Sequence, residues 1–297
     1  MHNTRGRAAT IALAVGAGLA ATTGVGPGTA DAHPAAHPAA REARQPPAAI
    51  VATITKDAIT LSSGNEFQAG RVYFQVTTTL KHGDHTLQIV RLHPGYTKAE
   101  FDRDLADGIQ TSQPDVKAVK RLDHRATWLG GATSRHGKTR QFGVDLPPGK
   151  YFLFDQSGAG ATKVKVTRPT VHRPRLTRDV TVKGTSTDRW VMPRVLPAKG
   201  WIRLKNTSDE AHFFALVQVK KSTTKAKVRR FIKGGESGNP RWIKTRHTSS
   251  GVFSRHTNVV FQTHLHRGKY LVGCFWPSDE TGMDHFSMGM WKLVHLN

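Results

Sequence analysis

Apolar residues along this chain fall in short, evenly spaced runs rather than long stretches. The runs RVYFQVTTT, HTLQIVRL, KYFLFD, TKVKVT, WIRLKN, HFFALVQV, NVVFQTHL and KYLVGCF are rich in β-branched and aromatic residues, and turns rich in Gly, Pro and Asn separate them. Such runs predict β-strands, and their regular spacing predicts β-sandwiches. Two stretches instead carry a helical period. In one, Thr97 and Glu100 form the capping pair of TKAE, and Phe101, Leu105 and Ile109 follow on one face. In the other, TKAKVRRFIKGG begins at Thr224, sets Val228 and Ile232 on the matching face and stops at Gly234-Gly235. The pattern thus predicts one short helix in each half.

The order of features repeats. HTLQIVRLHPGYT, from His85, matches HFFALVQVKKSTT, from His212, and LPPGKYFLFD (Leu146 to Asp155) matches LHRGKYLVGC (Leu265 to Cys274). One sandwich is expected over residues 48–168 and a second over 178–297. The Pro- and Arg-rich stretch 169–177 is expected to be the linker.

The amino-terminal segment has a different pattern. Arg5 and Arg7 precede the small-residue apolar stretch AATIALAVGAGLAATTG, and Ala30-Asp31-Ala32 offers a cleavage site. This predicts an export signal over residues 1–32, cut after Ala32, and a protein that is secreted or held at the cell envelope. Residues 33–47, HPAAHPAAREARQPP, read as a disordered tether. A new amino-terminal His33 would be able to chelate copper, but on such a tail it reads as incidental. No later run is long and apolar enough to form a transmembrane segment.

Charge narrows the partners. Lys and Arg number 44 against 21 Asp and Glu, a net charge of +23. A chain this basic is drawn to anionic surfaces such as a cell-envelope polymer. The charge is spread evenly and no aromatic-basic motif stands out, so no specific nucleic acid is expected. The chain is expected to be a monomer.

Cys274 is the single cysteine, so an exported protein keeps one thiol and no disulfide. A lone exported thiol needs burial or a metal to protect it. His285 and Met290 follow it closely, and His212 opens an upstream strand. One upstream histidine, then Cys, His and Met near the carboxyl end, is the ligand order of a blue-copper site. Such a site needs a thiolate and two imidazoles in a trigonal plane with a weak axial thioether.

At these residues the chain resembles the cupredoxins, and the plastocyanin-like members most. Asn206 precedes His212 by six residues, and HFSMGM sets His285, Gly289 and Met290 in the family's H-x-x-x-G-M pattern. The resemblance covers the second half from about Trp201, with an echo in the first. It implies an all-β chain of two tandem cupredoxin-like Greek-key β-sandwiches, the first copy degenerate. It also implies one type 1-like copper held by His212, Cys274, His285 and Met290, for electron transfer to a redox partner or for copper handling. Asn206 would then support the cysteine loop from behind the ligands.

The chain also departs from the family. Ten residues, FWPSDETGMD, separate Cys274 from His285 where the plastocyanin pattern has two, and Met288 and Met283 compete with Met290. In the first half Asp155 stands at the cysteine position, so no blue-copper centre is expected there. His82, His85 and His93 read as a solvated cluster. Multicopper oxidases and copper nitrite reductases need a His-Cys-His signature, whereas Gly273 and Phe275 flank Cys274, and the pair His264 and His266 reads as a surface feature. The chain is therefore expected not to be an enzyme. The alternative expectation is a non-catalytic, basic envelope-binding module without metal.

Overall fold

The computed structural model describes residues 49–158, 160–168, 178–238 and 240–297. The expected export signal, tether and linker lie outside the described residues. The first half runs β1 (Ile50–Ile54), β2 (Ile59–Leu61), β3 (Glu66–Gln68), β4 (Gly70–Thr78), β5 (His85–Leu92), α1 (Lys98–Gly108), α2 (Val116–Arg125), β6 (Ala126–Ser134), β7 (Arg140–Leu146), β8 (Gly149–Asp155) and β9 (Ala161–Thr167). The second runs β10 (Val180–Thr185), β11 (Arg189–Val191), β12 (Val195–Leu196), β13 (Lys199–Asn206), β14 (His212–Val219), α3 (Lys225–Lys233), β15 (Ile243–Phe253), β16 (Asn258–His264), β17 (Gly268–Gly273), α4 (His285–Met288) and β18 (Trp291–Leu296).

The fold is all-β, in two sheets. One has the order β11-β10-β13-β16-β7-β4-β1-β2 and the other β12-β18-β17-β14-β15-β6-β5-β8-β9-β3. Each order reads the same from either end, so the halves contribute corresponding strands. Local chemistry repeats as well. In each GKY segment the tyrosine hydroxyl donates to a carbonyl four residues upstream, Tyr151 to Pro147 at 2.6 Å and Tyr270 to His266 at 2.9 Å. These bonds tie the turn before β8 and the turn before β17 to the start of each strand.

The sheets do not stop at the boundary between the halves. β16 pairs with β7 through Val259↔Val144, Val260↔Gly143 and Phe261↔Phe142, and β15 meets β6 at Phe253↔Leu129. One buried apolar cluster runs from Ile50 to Leu296 through both halves. A fully buried Gln88 locks the seam: its amide donates to the carbonyls of Gly130 and Val252, and its oxygen accepts from the Val252 N–H at 2.6 Å. The close approach needs glycine. A Cβ on Gly251, at φ 66°, would lie 2.7 Å from the Gly131 nitrogen.

Both helices expected from the sequence are present. Thr97 and Glu100 complete the capping box of α1, and Thr224 caps α3, which ends at Gly234. The expectation of one helix per half needs a correction, because α2 and the four-residue α4 are additional. Asp115 caps α2, and Ala118, Val119 and Leu122 bury one face. Charged residues and a histidine fill most of its other positions, which hides the apolar stripe in a run of only ten residues.

Candidate metal centre

β14 and β17 are antiparallel neighbours, with Ala215 opposite Gly273. That register brings His212, at the start of β14, and Cys274, just past the end of β17, to the same edge of the sheet. The Phe213 N–H points at Cys274 Sγ at 3.4 Å. His285 returns to this edge because the ten-residue insertion doubles back on itself. Pro277 pairs with Asp284, the Ser278 N–H donates to the Met283 carbonyl, and the His285 N–H donates to the Trp276 carbonyl. Met290 follows, with its N–H on the His285 carbonyl. All four side chains are wholly buried.

Three donor atoms converge. Nδ1 of His212 lies 3.1 Å from Nδ1 of His285, and Cys274 Sγ lies 3.7 Å and 3.5 Å from them. A triangle with those sides has its centre about 2.0 Å from each corner, close to the roughly 2.0–2.3 Å bonds that imidazole and thiolate make to zinc, a first-row ion of similar size. His212, Cys274 and His285 thus form a group that could hold a metal ion. Met290 sits beside it, since a Cβ on Gly184 would meet the His212 ring at 2.7 Å and the Met290 methyl at 3.1 Å. Met288 and Met283, the competing methionines, are 38% and 53% exposed.

The outward nitrogens of both rings are engaged. His212 Nε2 is 2.7 Å from Ser208 Oγ, and His285 Nε2 bonds Glu210. Partners of this kind fix which nitrogen faces inward and how the ring is turned. Burial, and secondarily the neighbouring His285, lowers the His212 pKa to about 3, so its imidazole is neutral. Burial also disfavours charge on His285, but the Cys274 sulfur and the Glu210 carboxylate outweigh it and raise its pKa to about 10. Glu210 is itself desolvated, yet His285 holds it down at about 2. Asp188, Glu210 and His285 form a second grouping of ligand-type atoms on this outer side.

The first half supports the insertion. Trp276 donates to Asp123 Oδ1 at 3.0 Å, and its ring meets Trp128 with centroids 5.0 Å apart. Asp279 bonds His124 at 2.9 Å. Asp123 and His124 both belong to α2, the helix that the strand and helix patterns do not reveal. Sequence reasoning also missed Ser208 and Glu210. The available signal was their place in the polar turn NTSDEAH, directly before His212.

Asn206 does not hold the cysteine loop. Its amide donates to the carbonyls of Glu210 and Phe253, and its oxygen accepts from Ser208. It therefore braces the turn that carries Ser208, Glu210 and His212.

Elsewhere the histidines are otherwise occupied. His85 bonds Asp155 at 2.7 Å and the His82 carbonyl at 2.9 Å, and His93 bonds Thr127. His264 and His266 are exposed near the end of β16, and neither joins a metal-ligand group among the described residues. His33 lies outside the described residues. No helix among the described residues is long and apolar enough to cross a membrane.

No family model matches the chain, and no curated protein matches it. Solved structures similar to it include auracyanin B, at 16% identity over 42% of this chain and 93% of that one, with a TM-score of 0.25. Auracyanin A, a blue copper protein from Chloroflexus aurantiacus, is 12% identical over 40% of this chain and 100% of that one, with a TM-score of 0.27. The copper nitrite reductase of Nitrosomonas europaea is 8% identical over 83% of this chain and 93% of its own, at a TM-score of 0.22, and a multicopper oxidase matches 84% of this chain. These last two correct the expectation of a non-enzymatic chain: enzymes are among the structures it resembles along most of its length, and that reading is withdrawn. The chain's own topology is an all-β fold of two sheets.

Proposed function

We propose that the chain binds one type 1-like copper ion in its second half and serves electron transfer or copper handling outside the cytoplasm. The single observation that carries this reading is the triangle of His212 Nδ1, His285 Nδ1 and Cys274 Sγ. Its donor set is the one that suits copper: a soft thiolate that favours Cu(I) and two imidazoles that accept either oxidation state. The alternative grouping of Asp188 and Glu210 with His285 lacks the sulfur. Bound copper would supply a one-electron couple.

The chain's own residues do the rest. Met290, buried beside the His212 ring, would offer a weak thioether ligand. The Phe213 N–H points at the sulfur, Ser208 and Glu210 set the ring orientations, and burial keeps water from the donors. In this reading the first half is a copy of the same scaffold that lacks the thiol and instead carries α2 as a platform for the insertion. Export rests on the amino-terminal signal pattern.

Titration with cupric ion tests the proposal. One equivalent should produce an intense thiolate-to-Cu(II) charge-transfer band, and His285→Ala should remove it. A colourless protein that takes up no copper would refute the reading.

A further inference from the structure

Away from the metal centre, the two halves enclose a cleft of about 690 Å³ on the seam. Arg135, Lys138 and Arg140 line it from the first half and Arg246 and His247 from the second, with Asp84 as the acidic residue on its wall. Asp84 is already engaged. It accepts from Arg135 Nη2 at 3.0 Å and pairs with His247 Nε2 at 2.6 Å, and Arg135 also reaches the His247 ring. These bonds cross from one half to the other and fix the floor of the cleft. The remaining cations, Lys138, Arg140 and Arg246, have no carboxylate partner among the described residues.

Arg140 is the most telling. It is half-buried, its guanidinium donates to the adjacent Thr139 carbonyl, and burial followed by repulsion from Arg135 lowers its pKa. A guanidinium in that position gains most from a bidentate oxyanion, because phosphate oxygens match its planar fork and offset the repulsion from its neighbour. The volume lies in the range of small-molecule sites and exceeds what one inorganic anion fills. His264 and His266 also line it.

We propose that this seam cleft is a binding site for phosphate-bearing anions, either as short free oligophosphates or as phosphate groups along a polymer. The site uses no metal ligand, so it stands or falls apart from the copper reading. It also locates on one concave surface an affinity that the net charge alone leaves diffuse.

Binding of tripolyphosphate and of long-chain polyphosphate to the full chain, measured by calorimetry, tests this. The double variant R140E/R246E should weaken both by at least about tenfold, whereas K163E/K225E, an equal charge change on exposed strand and helix positions, should change them less than about twofold. The milder pair R140Q/R246Q should weaken binding in the same direction, and thermal unfolding checks that each variant folds. Equal affinity per molecule for the two probes points to a free oligophosphate, and affinity that climbs with chain length points to a polymer. Equal losses in the cleft and control pairs, or no loss in either, would overturn the site.

Discussion

At the ends of β5 and β8 the chain sets His85 against Asp155, and at the matching ends of β14 and β17 it sets His212 against Cys274. The backbone treats the two places alike. The N–H after each histidine points at the partner side chain, Thr86 to Asp155 Oδ1 at 2.8 Å and Phe213 to Cys274 Sγ at 3.4 Å. What differs is the partner and the loop that follows. Asp155 satisfies His85 directly, and its loop turns straight into β9. Cys274 leaves His212 Nδ1 facing inward, and the insertion after it delivers a second imidazole to the gap. One scaffold therefore yields a closed hydrogen-bonded pair at one end and a three-donor cage at the other. A side-chain exchange and ten residues of loop separate the two outcomes.

The largest expected effect comes from moving the thiol. Cys274→Ser should abolish the charge-transfer band completely, and adding Asp155→Cys in that background should not restore it, since among the described residues His85 belongs to no metal-ligand group. Visible absorption after copper loading checks both. A band in the double variant would mean that the two ends are more alike than the loops suggest.

Next in size is the cost of opening the closed pair. Asp155→Ala leaves His85 Nδ1 and the Thr86 N–H without their acceptor in a buried setting, which should destabilise the protein by about 2–3 kcal/mol. Denaturant unfolding measures it, and copper affinity should be unchanged. Glu210→Gln acts at the other end. It removes the carboxylate that orients His285 and should weaken copper binding about 10- to 100-fold, read by competition with a chelator.

A further effect links the two halves through pH. Burial raises the Asp123 pKa from 3.8 to about 8, against the hydrogen bonds from Ala211 and Trp276. The folded state therefore holds a proton that the unfolded chain releases. Stability from this group should fall as pH rises between about 4 and 8, by at most about 1.4 kcal/mol per unit. Thermal unfolding of the metal-free protein across that range should lose part of its slope in Asp123→Asn. An unchanged slope would show that the α2 carboxyl is not titrating there.

How much of this was legible from the sequence depends on the range of the interaction. The strand runs, the Thr97 and Thr224 caps and the paired GKY segments are local patterns, and the order His212, Cys274, His285 singles out the side chains that the fold brings together. The insertion could be seen but not its path, because its hairpin is set by Pro277↔Asp284 and by contacts to Asp123 and His124 more than 150 residues earlier. The role of Asn206 also depended on partners, the carbonyls of Glu210 and Phe253, that spacing cannot name. The continuous sheets depend on a buried Gln88 and the Gly131–Gly251 approach, and nothing in either segment alone marks them as neighbours.

X-ray absorption at the copper edge of protein loaded with one equivalent of copper reads the donor set itself. Copper held by His212, Cys274 and His285 should show one sulfur and two imidazole nitrogens at about 2.0–2.3 Å, with the sulfur scattering lost in Cys274→Ser. A first shell of nitrogen and oxygen alone in the unsubstituted protein would contradict it.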